Sequence, residues 1–304
     1  MSPAVAREDA PLFKRLRAAN ERLPAWLGPS MALLGLVLVI LFDGSAAAFG
    51  TGREAFCYWL PSSADPYLHS AWNDPVAYVY SPAFLQALAP IRWLPWPLFL
   101  AAWTAIQLLA LRLLIGARWL WLGMLIGAME IGGGNISILL ALAIVVGFRW
   151  PAAWAFVLLT KVSPGIGLLW FAIRREWRAL AVALGATALV VAVSAVVAPA
   201  AWRDWIDVLI ANAVSGRTGT WAAVPIPLLF RIPFALALVT WGALTDRRWT
   251  VLVASMLALP ALWYGGLSML IGLFAIDRMR RQWRSRASEV DPLRVRVDVE
   301  PVAT

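Results

Sequence analysis

Long apolar runs separated by short polar segments repeat along almost the whole chain. Six of these runs are long enough to cross a membrane: 27–48, 97–115, 151–172, 178–199, 224–244 and 249–263. Three shorter runs, 78–91, 118–131 and 135–148, hold about 14 residues each, or roughly 21 Å of helix against a hydrocarbon core of about 30 Å. A further run at 265–276 leads into a basic tail. The pattern predicts an all-α, polytopic membrane helix bundle with about eight to ten spans.

Two of the short runs, 118–131 and 135–148, flank the sequence Gly132-Gly133-Gly134-Asn135. They predict either two short tilted helices or a re-entrant hairpin. In both cases the two ends of the pair lie on the same side of the membrane.

Composition excludes several classes of protein. Hydrophobic residues make up 62% of the chain and charged residues 14%, against about 25% charged residues in soluble domains. The net charge of +9 does not indicate nucleic-acid binding, because the basic residues lie in the termini and in short loops. One cysteine and one histidine exclude an internal disulfide and a usual zinc site, so we expect no metal. The many arginines and alanines are typical of a GC-rich bacterial genome.

The basic residues predict the orientation, because they favour the cytoplasmic side. Residues 1–26 are expected to form a cytoplasmic segment whose first span remains as an anchor, 27–276 the transmembrane domain and 277–304 a basic cytoplasmic tail. The loops at 43–77 and around 200–223 are then extracytoplasmic, in a bacterial plasma membrane. Under this span count three arginines fall on the outer side and weaken the rule: Arg112, Arg118 and Arg149.

Loop 43–77 holds the polar residues best suited to chemistry. Glu54 could act as a general base beside the membrane, or it could be a solvated acid paired with Arg53. Asp65 precedes a proline and is typical of a turn in which the side chain bonds backbone N–H groups. Three further candidates in the loop are more typical of surface or boundary positions: Asp43, His69 and Asp74.

Two cations lie within apolar runs. Lys161 is about midway along 151–172, and Arg231 is some seven residues into 224–244. Such charges are costly in a membrane and normally face a partner or a polar cavity. The partner could be an anionic lipid phosphate, or Glu130 or a loop acid in a packing pair. Glu130 and Asn135 are expected at least to satisfy the backbone of the glycine turn.

The chain resembles glycosyltransferase family 87, the polyprenol-phosphate-mannose-dependent mannosyltransferases of GT-C architecture. Glu54-Ala-Phe-Cys-Tyr58 stands where the family has an aspartate four residues before a tyrosine, so a glutamate replaces the family's acid. Tyr78-Val-Tyr80-Ser-Pro82 matches the close of the family's first outer loop. Further similarity lies at Gly133-Gly-Asn135, Lys161-Val-Ser-Pro164, Arg174-Arg-Glu-Trp-Arg178 and Arg231.

The resemblance implies an inverting membrane hexosyltransferase that takes mannose from a polyprenyl-phosphate sugar and needs no cofactor. The acceptor would be the hydroxyl of a glycolipid or polysaccharide on the extracytoplasmic side. Glu54 would be the catalytic base, and the expected substrate-binding residues are Tyr58, Asp65, Tyr80, Lys161 and Arg231. A non-enzymatic lipid carrier, transporter or partner subunit on the same scaffold is the alternative, and a pocket that joins Glu54 to Lys161 would favour the enzyme.

Overall fold

The computed structural model describes residues 18–43, 51–61, 65–68, 70, 77–215 and 225–279. Across these ranges the chain forms helices and no strand, which confirms the all-α class. The α-helices are α1 (Leu27–Leu41), α2 (Arg53–Trp59), α3 (Pro82–Arg92), α4 (Trp96–Ile115), α5 (Leu120–Gly133), α6 (Ser137–Gly147), α7 (Trp154–Thr160), α8 (Leu169–Ile173), α9 (Trp177–Val197), α10 (Pro199–Ser215), α11 (Leu228–Leu244) and α12 (Trp249–Leu257). The 3-10 helices in the same ranges are Ala117–Trp119, Pro151–Ala153, Ser163–Leu168 and Tyr264–Ile271, and residues 272–279 are helical.

The helices have the apolar exterior of a membrane bundle. In the described part, α4 and α9, with 20 and 21 residues, are long and apolar enough to cross a membrane singly, and the pair of α5 and α6 could add a third span. On α9, Leu189 is 66% exposed and Val196 84% exposed, as expected of side chains that face lipid. Most of the remaining helices are shorter than the apolar runs suggest, and the count of about eight to ten spans stays a prediction.

Helices α5 and α6 form the first hairpin of the structure. The chain direction changes by 119° between them, so α6 runs back toward the end of the bundle from which α5 started. Gly134 ends α5 with a φ of 77°, a left-handed conformation that glycine adopts without a steric cost. This geometry favours a hairpin over two independent tilted helices.

The expected continuous span at 151–172 is wrong, because the chain turns back within it. Helix α7 ends at Thr160, and Lys161 is extended at φ −140° and ψ 108°. The return segment packs on α7, with the rings of Trp154 and Phe171 6.3 Å apart. Pro164 supplies the physical reason for the break, since proline has no N–H to donate and disfavours helix at the residue before it. Lys161 therefore lies at the tip of a second hairpin.

Helix α3 does not cross the bundle. Just before it, the Tyr80 hydroxyl lies 3.2 Å from the Tyr58 hydroxyl, and at its end the Arg92 guanidinium donates to the Trp59 carbonyl at 3.4 Å. Both ends of α3 thus contact the segment that contains α2. Helix α4 consequently starts from the end of the bundle at which α2 lies.

The three arginines expected on the outer side lie instead with the other basic residues, and that expectation is wrong. Arg118 donates to the Glu21 carbonyl at 3.1 Å, which places it and Arg112 beside the N-terminal segment. Arg149 lines one groove with Arg175. The error came from counting 78–91 as a crossing. This part of the molecule, which contains residues 18–26, 112–119, 148–151, 174–178 and 246–249, is called the basic end below.

The expected loop around 200–223 is mostly a helix. In α10, Ala201, Trp205 and Val208 are buried at the spacing that places three side chains on one helical face. The indole N–H of Trp205 donates to the Val79 carbonyl at 3.2 Å. Helix α10 therefore lies on the part of the chain that leads into α3. Arg217, expected in this loop, lies outside the described residues.

Candidate functional site

Helix α2 lies directly on the glycine turn of the first hairpin. The backbone N–H of Gly52 donates to the Gly132 carbonyl at 2.7 Å. A Cβ on Gly134 would lie 2.7 Å from the Cβ of Ala55, and one on Gly133 would lie 4.0 Å from the Cγ of Glu54. The glycines thus allow α2 to approach the tip, which brings Glu54 to the point where the two hairpins turn.

An aromatic cluster fixes α2 from its other side. The Tyr58 ring packs edge-on against Tyr80, Phe84 and Trp103, with centroids 5.2 to 5.4 Å apart. The Trp103 indole donates to the Gly134 carbonyl at 2.6 Å, so the same cluster also holds the glycine turn. Tyr58 is fully buried and Tyr80 is 5% exposed. These contacts give Tyr58 and Tyr80 a supporting position beside Glu54, and substrate binding by them stays a prediction.

Three charged side chains from different parts of the sequence lie near one another at α2. Glu54, Glu130 and Lys161 are within electrostatic range of one another, although they come from α2, α5 and the tip of the second hairpin. The Ser81 hydroxyl donates to the Leu159 carbonyl at 2.5 Å, which ties this tip to the start of α3. Glu54 and Lys161 are each partly exposed.

Glu130 differs from Glu54 in being buried, with 1% of its surface exposed. One carboxylate oxygen accepts the backbone N–H of Ser137 across the glycine turn. The other faces Gly265, at the start of the 3-10 helix Tyr264–Ile271. The sequence predicted Glu130 as a residue of the glycine turn or as the packing partner of a cation, and not as a residue of the site. A single acid within an apolar run was the signal that pointed to it.

Arg231 lies in the first turn of α11, since that helix begins at Leu228 rather than near 224. Its guanidinium donates to the carbonyls of Ile226, Leu257 and Pro260 at 2.9, 2.6 and 2.9 Å. Arg231 is 4% exposed. These bonds hold the turn that follows α12. They do not support substrate binding by Arg231, which stays a prediction.

Asp65 has the geometry of a turn residue. It is exposed, and its side chain accepts the backbone N–H of Tyr67 at 3.3 Å. The Tyr67 hydroxyl donates to the Tyr80 carbonyl at 2.8 Å. Burial, together with the nearby charge of Asp204 on α10, raises the pKa of Tyr67 above its usual value. Substrate binding by Asp65 stays a prediction, while His69 and Asp74 lie outside the described residues.

In the ranges that the structure describes, no group of three or more histidine, cysteine, aspartate or glutamate side chains could hold a metal ion. Cys57 is buried in α2, and its thiol donates to the Arg53 carbonyl at 3.4 Å. The charged groups that this arrangement brings together are two carboxylates and one ammonium group. They can move a proton and stabilise charge.

Comparison with known proteins identifies the family. No curated protein and no solved structure matches the chain. The model of glycosyltransferase family 87 matches residues 78–290, a range that includes Tyr80, Glu130 and Lys161, whereas Glu54 precedes it. The match covers well over half of the 304 residues. The chain therefore belongs to glycosyltransferase family 87, and its helices are those of a membrane protein.

Proposed function

We propose that the protein transfers a sugar, expected to be mannose, from a polyprenyl-phosphate donor to the hydroxyl of an extracytoplasmic glycolipid or polysaccharide. Family membership supports glycosyl transfer. The observation that carries the rest is the convergence of Glu54, Glu130 and Lys161 where α2 meets the tips of two hairpins. A proton acceptor and a phosphate partner are the two groups that such a transfer needs.

Glu54 is the proposed general base. Its carboxylate takes the proton of the acceptor hydroxyl while the hydroxyl oxygen forms a bond to the anomeric carbon. The bond from that carbon to the donor's phosphate oxygen breaks, and the phosphate leaves with the electron pair. Attack on the face opposite the leaving phosphate inverts the configuration. A carboxylate is a weak base toward a hydroxyl, so proton transfer is concerted with bond formation.

Lys161 is the proposed partner of the leaving phosphate. It lies at the tip of a hairpin, partly exposed, where an ammonium group can meet phosphate oxygens without crossing the bundle. Charge-assisted bonds of this kind are stronger than neutral ones. They count for more in a site with little water, since the surrounding dielectric is low. Because Arg231 bonds three carbonyls, the proposed phosphate contact falls on Lys161.

Glu130 has a positioning role in this proposal. It is fixed by the Ser137 N–H, and its charge attracts the Lys161 ammonium toward the site. Glycosyl transfer passes through an oxocarbenium-like state in which the sugar carries positive charge. An ionised carboxylate beside the sugar, such as that of Glu54, stabilises that state more than it stabilises the neutral sugar ring of the donor.

Membranes that contain the protein, incubated with radiolabelled polyprenyl-phosphate mannose, test the proposal. We expect label to move into a lipid or polymer fraction with the wild type and to stay in the donor with Glu54→Gln. Transfer from a lipid-phosphate sugar other than mannose would correct the sugar and leave the donor class intact. A wild type that transfers no lipid-phosphate sugar, although folded, would favour the non-enzymatic lipid carrier, transporter or partner subunit.

A further inference from the structure

A groove lies at the basic end, away from the hairpin tips that hold the proposed active site. It is open, encloses a volume of about 560 Å³, and is lined by the turn after α6, the turn after α8 and the start of α9. Its charged lining residues are three arginines, Arg149, Arg175 and Arg178, and one acid, Glu176. The other lining residues are apolar and include Phe148, Trp177 and Val182.

The three arginines have guanidinium groups free to bind a ligand. Within the described ranges, Arg149, Arg175 and Arg178 donate no side-chain hydrogen bond to a protein acceptor, and all three are exposed. The nearest acid along the chain, Glu176, is already bonded to Arg174 at 2.9 Å. Arg174 also reaches Asp246 at 3.1 Å. Arg174 thus pairs with both acids, and the lining holds three arginines against one acid, so the groove keeps a positive charge.

The backbone at the groove adds to this charge. Helix α9 begins at Trp177 and no side chain caps its N-terminus, so its first N–H groups and its dipole favour an anion. Arg175 has a φ of 58°, a left-handed conformation that is uncommon for residues other than glycine. The chain thus turns sharply between Arg174 and Glu176, which directs Arg174 to Asp246 while Arg175 lines the groove.

The remaining lining is apolar and has the character of a membrane boundary. Trp177 in the lining is 60% exposed, and Trp150, next to Arg149 in the chain, is 65% exposed, as is typical of indoles at the level of lipid head groups. Val182, 43% exposed, continues this surface along α9 toward the membrane interior. A ligand that fits has an anionic head at the arginines and an apolar chain along α9.

We propose that this groove binds the head group of an anionic phospholipid, with the phosphate at Arg149, Arg175 and Arg178 and an acyl chain along α9. Each arginine near an anionic membrane surface contributes about 1 kcal/mol, or a factor of about 5 in affinity. The site is at the opposite end of the bundle from Glu54. The proposal is therefore independent of the sugar-transfer reaction.

Lipid binding by purified protein in neutral detergent, measured by native mass spectrometry, tests the proposal. The lipids are phosphatidylglycerol and phosphatidylcholine. We expect phosphatidylglycerol to bind the wild type at least tenfold more tightly. Arg149→Gln should lower that preference about fivefold, and Arg149→Gln with Arg175→Gln about 25-fold. Arg112→Gln is the matched control, because it removes one exposed charge at the same end outside the groove, and it should keep the wild-type preference.

Equal binding of the two lipids by the wild type would overturn the proposal. So would an equal loss in Arg112→Gln and Arg149→Gln, because the basic end would then act through diffuse charge. Competition by millimolar inorganic phosphate that abolishes lipid binding would assign the groove to a soluble phosphate compound instead. If the double variant unfolds at a lower temperature than the wild type, the single variant Arg149→Gln decides.

Discussion

Lys161 and Arg231 are both cations in apolar stretches of the sequence, yet the structure surrounds them differently. Arg231 is buried, and its guanidinium donates to three backbone carbonyls. Lys161 is partly exposed at a hairpin tip and has two carboxylates, Glu54 and Glu130, within electrostatic range. A cation satisfied by carbonyls stabilises a turn, whereas a cation that faces acids in reach of solvent can respond to a substrate.

The largest effect should follow from changing the acid that Lys161 faces. Glu54→Gln keeps the size of the side chain but removes the basic oxygen, so we expect sugar transfer to fall by about 10² to 10⁴, the usual contribution of a general base. Turnover in membranes with saturating donor measures the loss, and donor binding should change little. Glu54→Asp, which restores the acid typical of the family, should lose less activity than Glu54→Gln.

A wild-type rate in Glu54→Gln would place the base elsewhere. Asp65 and Asp43 are then the next acids to change. Asp43 is the weaker of the two candidates, since its carboxylate accepts the indole N–H of Trp96 at 2.5 Å.

The next effect separates the two cations directly. Lys161→Met should raise the KM for the lipid-phosphate donor by about 10- to 150-fold, which corresponds to the loss of one charge-assisted contact of about 1.5–3 kcal/mol. Lys161→Arg keeps the charge and should recover part of the loss. A KM and kcat both equal to those of the wild type would give Lys161 a structural role and remove the contrast with Arg231.

Arg231→Met should have the smaller effect on catalysis and act on stability instead. Three carbonyls lose their donor, and a hydrogen bond from a charged group contributes about 1.5–3 kcal/mol. The melting temperature in detergent should fall, while transfer per folded molecule should stay within about twofold of the wild type. Arg231→Lys, with fewer donors in a less rigid arrangement, should melt between the two. A raised donor KM without a lower melting temperature would return Arg231 to the phosphate site.

A labelling experiment that leaves activity unchanged tests which ends of the bundle these cations face. Cys57 is buried and is a poor probe, so single cysteines are placed in a Cys57→Ser background. Leu68→Cys, at a residue 71% exposed beside α2, should react with a membrane-impermeant thiol reagent in intact cells. Arg112→Cys should react only after permeabilisation. The reverse pattern would invert the orientation and place the proposed active site in the cytoplasm.

The sequence predicts the helical class well but not where the chain turns back. Apolar runs identify α4 and α9 with nearly correct bounds. A long uninterrupted apolar run in a membrane forms a helix, because only a helix satisfies its backbone hydrogen bonds within the segment. Run 151–172 looks the same by composition, yet contacts such as Trp154 with Phe171 show that it folds on itself. Hydropathy measures transfer into lipid and carries no information on which helix a residue meets.

The candidate site could be predicted as a list of residues but not as an arrangement. Lys161 stood out as a cation within an apolar run. Glu54 stood out as an acid in the polar loop, at the position of the family's aspartate. Their proximity depends on Gly134, whose missing Cβ lets α2 lie on the turn. The surroundings of Arg231 could not be predicted, since the carbonyls that accept its hydrogen bonds belong to residues up to 29 positions away.

The contact between Gly52 and Gly132 joins two segments that are synthesised at different times. Helix α2 leaves the ribosome well before the residues on which it rests. At 5–20 residues per second, the roughly 100 residues between Glu54 and Lys161 take about 5–20 s to make. During that time Glu54 has been synthesised and Lys161 has not. A chain released before the second hairpin is made therefore lacks the lysine of the proposed active site.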